Sequence, residues 1–208
     1  MVAAAICAAL AARSERVAAF KPAVTGLDEP EGPWPRDHVL LASVASAGQS
    51  PDDVAPYRFG PAVSPHYAAE LAGTPIDFAR LGALASAAAA GADALVCEGV
   101  GGLMVPLTAT HLVRDLAAEL GLPLVVVARP GLGTISHTLL TIEAARAARL
   151  RPVGVVMTPW PTRPSPGEFS NLRTVECLSG CPVVGLNRCE VRNLAEAGST
   201  LPLATWLG

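Results

Sequence analysis

The most informative stretch of the sequence is Val17-Ala18-Ala19-Phe20-Lys21-Pro22-Ala23-Val24-Thr25-Gly26, because a short apolar run ends there in a charged residue. Residues 17–20 have the apolar character of a strand that is buried on both faces. Lys21 is the one lysine of the chain, which also carries fourteen arginines. Its ammonium is a compact point charge whose pKa can shift when it is desolvated, and a guanidinium has neither property. A lysine just past a strand end is typical of α/β sites, although a lone surface lysine has the same appearance.

Apolar runs and helical segments alternate on either side of this stretch, which predicts an α/β fold. We expect a mostly parallel sheet flanked by helices on both faces, in a single domain over residues 1–208. The expected strands are 16–20, 94–97, 122–128 and 153–157. The expected helices are 2–14, 37–47, 75–91, 111–120 and 135–149. Pro51 to Pro65 and Trp160 to Gly167 are expected to be loops, with short elements after them.

Composition excludes several classes of protein. The net charge of −3 gives no basic surface for nucleic acid or anionic lipid. No apolar run approaches the roughly 20 residues needed to span a bilayer. Val2 to Ala12 lacks the basic start of a signal peptide, and we expect it to be a helix of a cytoplasmic protein. The cysteines and histidines show no metal-ligand spacing.

A second chemical segment follows the predicted strand at 94–97. There Glu98 is followed at once by Gly99-Val100-Gly101-Gly102. A carboxylate at the carboxyl edge of a parallel sheet points into the ligand crevice, where it suits Mg²⁺ held together with substrate phosphates. The glycines allow close approach of the backbone to a ligand. The alternative is a tight turn whose glutamate is solvated or caps the next helix.

Four ordered motifs together resemble the ATP-dependent dethiobiotin synthetases, which belong to the P-loop NTPase superfamily. Lys21 to Gly26 is similar to the family's Lys-Pro-x-x-[ST]-Gly, and Glu98 to Gly102 to its Glu-Gly-[AV]-Gly-Gly. Ser64-Pro65-His66 matches its Ser-Pro-His. Leu132 to Thr138 matches its Leu-Gly-x-Ile-Asn-His-x, with Ser136 in place of asparagine. The resemblance covers nearly the whole chain.

The resemblance implies a reaction and a set of site residues. Carbon dioxide would carboxylate one amine of diaminopelargonate, ATP would phosphorylate the carbamate, and the second amine would close the ring. Lys21 would be the catalytic lysine, and Thr25 would bind the diamine. Asp37 and Glu98 would hold Mg²⁺, with Asp28, Asp52 and Asp53 as rivals of Asp37. The residues that contact ATP would be Asp37, Glu98, Gly99, Val100 and Gly101.

The chain departs from the family pattern in two places. Nothing in it matches Gly-x-x-x-x-Gly-Lys-[ST], so the first strand and phosphate loop of the family would fall before Met1. We expect the true start codon to lie upstream; otherwise nucleotide binding would be poor. Thr158-Pro159 stands where many relatives carry Asn-Asp to read the adenine. Trp160, which follows, would either stack on a base or cover the sheet edge.

Two alternatives to this enzyme stay open on the sequence. One is a different synthetase or a partitioning ATPase of the same superfamily. The other is a non-catalytic paralogue that acts as the dimer partner of an intact copy. The family resemblance itself implies a homodimer, to which the loop at 64–72 would contribute.

Overall fold

The computed structural model describes residues 1–207, in which every strand pairs in parallel. β1 pairs with β4, β2 pairs with β3, and β5, β6 and β7 form a third group in that order. The predicted α/β class with parallel strands is therefore confirmed. The strands are β1 (Val17–Phe20), β2 (Ala23–Val24), β3 (Tyr57–Arg58), β4 (Ala94–Cys97), β5 (Leu124–Ala128), β6 (Pro152–Trp160) and β7 (Val183–Asn187).

Helices connect the strands and cover both faces of them. They are α1 (Val2–Ala11), α2 (Asp37–Val44), α3 (Pro51–Val54), α4 (Pro65–Leu71), α5 (Phe78–Ala89), α6 (Val113–Leu120), α7 (Thr134–Ala147), α8 (Pro166–Ser179), α9 (Leu194–Ser199) and α10 (Leu203–Leu207), with a 3₁₀ turn at Val191–Asn193. No helix within residues 1–207 is both long enough and apolar enough to cross a bilayer.

Alternate residues of β1 and of β6 pack in different parts of the core, because successive side chains of a strand point to opposite faces. Val17 and Ala19 of β1 pack in a cluster with α1, α2, α9 and α10. Phe20 packs on the opposite side, in a cluster with α4, α5 and α6. Along β6, Val156 joins the first cluster, whereas Val155 packs in a third cluster with α7 and α8.

Helix α1 can lie close to its neighbours because it is rich in alanine, which favours helix and has little bulk. Ala4, Ala5 and Cys7 of this helix are fully buried. Its contact with α9 is tightest at Gly198, where an added Cβ would lie 2.0 Å from the backbone oxygen of Ala5. A helical glycine here lets the two backbones meet, and this contact joins the start of the chain to its end.

Several predicted boundaries need correction. The expected loop at 51–65 contains the short α3 and β3, and α4 begins at Pro65. The expected short elements after Gly167 include α8, which runs for 14 residues and begins at Pro166. Few of its side chains are buried, chiefly Val175 and Ser179, so its sequence lacks the apolar periodicity that identifies a helix.

Candidate functional site

Lys21 lies just beyond the end of β1 and is only 4% exposed. Its Nζ atom donates to Oε1 of Glu98 at 2.7 Å and to the backbone oxygen of Gly99 at 3.1 Å. A carboxylate oxygen of Asp37 lies 3.1 Å from the same nitrogen. An ammonium has three donors, and here three oxygens surround it. The structure thus brings Lys21, Asp37 and Glu98 together as an ion triad.

Strand register explains why Lys21 and Glu98 meet. Phe20 of β1 is the register partner of Cys97 of β4, so the residues that follow them leave the sheet side by side. The backbone amide of Glu98 continues the ladder by donating to the oxygen of Phe20 at 2.8 Å. Asp37 comes from a third element, since it is the first residue of α2. A carboxylate is favoured at that position by the helix dipole.

The charges of the triad reinforce one another. Burial by itself would lower the pKa of Lys21, but the negative charges of Glu98 and Asp37 outweigh burial and raise it. Burial would raise the pKa of Asp37, and the charge and hydrogen bond of Lys21 outweigh it and lower that pKa. The three groups therefore favour the charged forms of one another.

None of the rival carboxylates contacts Lys21. Asp28 is exposed and lies beside Gly60, where an added Cβ would be 2.3 Å from its Oδ2 atom. Asp52 pairs with Arg58, and Asp53 caps α3 through Ser50. Geometry thus singles out Asp37 as the second acid beside Lys21.

The glycines after Glu98 present exposed backbone beside the triad. Gly101 has a φ of +72°, and an added Cβ would lie 2.8 Å from Cγ2 of Val105. Both facts exclude a side chain at this position. Val100 between the glycines is buried in the core and anchors the turn. That residues 98–101 contact a nucleotide stays a prediction.

Thr25 directly follows β2 and stands outside the hydrogen bonds of the triad. Its side chain is half-buried, and Gly26 after it turns the chain with a φ of +80°. The other two family motifs lie at the starts of helices. Ser64 precedes α4 with its Oγ atom 3.0 Å from Nδ1 of His66, and Gly133 precedes α7.

Asp37 and Glu98 are the carboxylates that the sequence predicts for Mg²⁺, and that role stays a prediction. Within residues 1–207 no group of three or more histidine, cysteine, aspartate or glutamate side chains could hold a metal ion. Asp37 and Glu98 do converge on one ammonium, and their side chains are 55% and 23% exposed. Mg²⁺ is commonly bound by one or two carboxylates together with substrate phosphates and water. The residues present thus fit a metal that arrives with a phosphate ligand.

A cavity of about 600 Å³ is lined by Pro33, Trp34, Arg188, Cys189, Glu190, Val191 and Asn193. Asp37 follows Trp34 by three residues. Burial raises the pKa of Cys189 in the wall of this cavity. Trp34, which stands between two prolines, is the aromatic residue of this cavity wall.

The side chain of Trp160 packs on the sheet and does not line this cavity. An added Cβ on Gly185 of β7 would lie 2.5 Å from the Trp160 ring. Phe169 of α8 meets the same ring edge to face, with centroids 5.8 Å apart. Of the two predicted roles for Trp160, covering the sheet edge is the one that these contacts favour.

A family model described as an AAA domain matches residues 1–186. The chain is similar to the ATP-dependent dethiobiotin synthetase of Bacillus velezensis, with 31% identity over 87% of the chain and 77% of the relative. The corresponding protein of Acidiphilium cryptum is 38% identical over 79% of the chain and 75% of the relative.

A third relative shows higher identity over a shorter stretch. The dethiobiotin synthetase of Anaeromyxobacter dehalogenans strain 2CP-1 is 44% identical over 138 residues, or 66% of the chain. The chain spans only 60% of the length of this relative. The activity, substrates and partners of the whole relatives are therefore only proposals for this chain.

Proposed function

Because the chain belongs to the dethiobiotin synthetase family and matches the AAA domain model, we propose that it is an ATP- and Mg²⁺-dependent ligase of biotin synthesis. Its substrates would be diaminopelargonate, carbon dioxide and ATP. Its products would be dethiobiotin, ADP and phosphate. The observation that carries this proposal is the buried ammonium of Lys21 between Glu98 and Asp37 at the carboxyl ends of β1 and β4.

The proposed reaction has two bond-forming steps after the carbamate has formed. A carbamate oxygen attacks the γ-phosphorus of ATP and ADP leaves, which gives a carbamic-phosphoric anhydride. The second amine then attacks the carbamoyl carbon, and phosphate leaves as the ring closes. Both reactants of the first step are anionic, so catalysis depends on position and on neutralising charge.

Lys21 is suited to the first step because its ammonium is a buried positive charge. Such a charge would offset the negative charges of the carbamate and the γ-phosphate as they approach one another. Exchange of the carboxylate contacts of Lys21 for contacts with the two reactants would place the ammonium between them. Thr25, at the end of β2, would hydrogen-bond the diamine.

Asp37 and Glu98 would hold Mg²⁺ on the phosphates, and the ion would supply further positive charge there. The exposed backbone of Gly99 and Gly101 would lie along the nucleotide. The base would occupy the cavity beside Trp34, since stacking on an aromatic side chain accepts any base. From the family resemblance we also propose a single-domain, cytoplasmic homodimer.

The proposal is tested with carbon-13 bicarbonate, ATP, Mg²⁺ and diaminopelargonate. We expect phosphate release that requires all four components, together with one labelled carbon in the ureido ring of the product. Phosphate release that is indifferent to the diamine would indicate a different acceptor and would contradict the proposal. The same assay with 7,8-diaminononane, which lacks the carboxylate of the substrate, provides a matched control for diamine recognition.

A further inference from the structure

The side chain of Arg36 binds three backbone oxygens of one loop. Its Nη1 atom donates to the oxygen of Gly26 at 2.7 Å, and its Nη2 atom donates to the oxygen of Leu27 at 3.1 Å. Nη2 also donates to the oxygen of Glu29. Arg36 itself is half-buried and directly precedes α2. One guanidinium thus holds three of the four carbonyl groups of residues 26–29.

The amide side of the same loop is also held. The backbone amides of Gly26, Leu27 and Asp28 donate to the oxygens of residues 61, 59 and 60 at 3.0, 3.1 and 2.9 Å. These bonds extend the pairing of β2 with β3. Residues 26–29 therefore run between the chain after β3 on one side and Arg36 on the other. We call residues 26–29 the restrained loop.

The restrained loop lies between two proposed site residues. Thr25 directly precedes it, and Asp37 directly follows Arg36. Residues 30–35 between them are mostly exposed and contain three prolines and one glycine, with no helix or strand. The hydrogen bonds of Arg36 are therefore the direct link between the end of β2, which carries Thr25, and the start of α2, which carries Asp37.

We propose that Arg36 is a positioning residue that fixes Thr25 relative to Asp37. This proposal rests on the proposed function, because it assigns Thr25 to the diamine and Asp37 to the metal and phosphates. Arg36 contacts neither ligand in this account. It acts by holding both residues in the arrangement that lets the carbamate meet the γ-phosphate, and misplacement by about 1 Å can cost about a hundredfold in rate.

The geometry requires an arginine. A guanidinium presents five donors in a rigid plane and can bind carbonyls that lie apart, whereas an ammonium concentrates three donors on one atom. We therefore expect Arg36→Lys to behave like Arg36→Ala and not like wild type. Arg146→Lys is the matched control, because Arg146 also donates to a backbone oxygen, that of Ser179, but lies near the end of α7.

The first measurement is hydrogen exchange, which needs no turnover. In Arg36→Ala and Arg36→Lys we expect the amides of Gly26, Leu27 and Asp28 to exchange at least about tenfold faster than in wild type, since their loop loses its second set of partners. The amides of β1 and β4 should be unchanged, and Arg146→Lys should match wild type throughout. Unchanged exchange in the restrained loop would overturn the proposal.

The second measurement separates positioning from simple stability. Arg36→Ala should raise both the KM for the diamine and the Mg²⁺ concentration for half-maximal rate by roughly tenfold. Thr25→Val should raise only the first, and Asp37→Asn mainly the second. In a Thr25→Val background the effect of Arg36→Ala on the diamine KM should shrink, because the two residues act as one unit.

The possible results separate the role of Arg36 from the proposed function. A lower melting temperature with both kinetic values unchanged would reduce Arg36 to a structural residue and overturn the proposal. Faster loop exchange in a protein that has no diamine-dependent turnover, even as wild type, would support the restraint by Arg36. It would at the same time contradict the proposed function.

Discussion

The Nζ atom of Lys21 lies 2.7 Å from Oε1 of Glu98. This contact follows from the parallel register of β1 and β4, whose last residues are partners. A buried cation is thereby fixed to a strand end that faces exposed glycine backbone. Lys21 extends β1, whose four residues are all buried, and a preorganised charge is what electrostatic stabilisation of a transition state requires.

Substitution of Asp37 and substitution of Glu98 should have different effects on turnover. Asp37→Asn should raise the Mg²⁺ concentration needed for half-maximal turnover about tenfold or more, because one of two proposed carboxylate ligands is lost. Glu98→Gln should do the same and also loosen Lys21, so its turnover at saturating Mg²⁺ should fall further. The measurement is the rate against Mg²⁺ concentration for each variant.

Asp53→Asn is the matched control for these acids, since Asp53 only caps α3. It should leave the Mg²⁺ requirement at the wild-type value. A wild-type Mg²⁺ requirement in Asp37→Asn would remove Asp37 from the metal site.

Trp34 should report on the nucleotide base. A Trp160→Phe background leaves Trp34 and Trp206, of which Trp206 is 2% exposed. In that background ATP should quench the fluorescence of Trp34, whereas inorganic triphosphate should not. Trp34→Ala should weaken ATP binding roughly tenfold, as expected for the loss of one base–aromatic stack. Binding of triphosphate should be unchanged, as measured by calorimetry. If both ligands weaken equally, Trp34 shapes the loop and does not contact the base.

The cysteine thiols should differ in reactivity according to their burial. Burial raises the pKa of Cys7 to about 12 and that of Cys97 to about 12, with the charge of Glu98 contributing in both cases. A thiol with a raised pKa stays protonated and unreactive at pH 8. Cys177 is exposed on α8, so a disulfide reagent should modify it first.

Cys177→Ser should remove that fast phase, and the reactions of Cys7 and Cys97 should appear only when the protein unfolds. Rapid modification of Cys7 in the native protein would show that α1 is not packed in the core as described.

Gly198→Ala should destabilise the protein strongly. The added methyl would lie 2.0 Å from the oxygen of Ala5, and this is backbone, so α9 must move away from α1. We expect a loss of about 3 kcal/mol in the free energy of unfolding, the upper range for overpacking. Gly167→Ala is the control, since its nearest atom would be the Ser165 hydroxyl at 3.9 Å. Denaturant unfolding of the two variants provides the comparison.

The sequence predicted the elements whose apolar runs are continuous. The strand ending at Phe20 and the strand 94–97 were expected with nearly their observed bounds, because each is a continuous run of apolar residues. The pairing of Lys21 with Glu98 followed from the rule that carboxyl ends of parallel strands share one edge. The family motifs then supplied the choice of Asp37, which the contacts of Lys21 favour.

What the sequence did not predict depends on contacts between distant segments. Helix α8 buries few side chains, so it carries little periodicity; the readable signal was Ser165 and Glu168, which form a capping box. Strand β2 has two residues, too short for any pattern. Arg36 was overlooked because its partners are backbone oxygens, which leave no trace in residue type.

Lys21→Gln is the most direct test of the account. The variant keeps hydrogen-bonding capacity at the end of β1 but has no charge, so the melting temperature should stay within a few degrees while dethiobiotin formation falls by about a thousandfold or more. Retention of the wild-type rate by folded Lys21→Gln would contradict the claim that this ammonium neutralises charge between the carbamate and ATP.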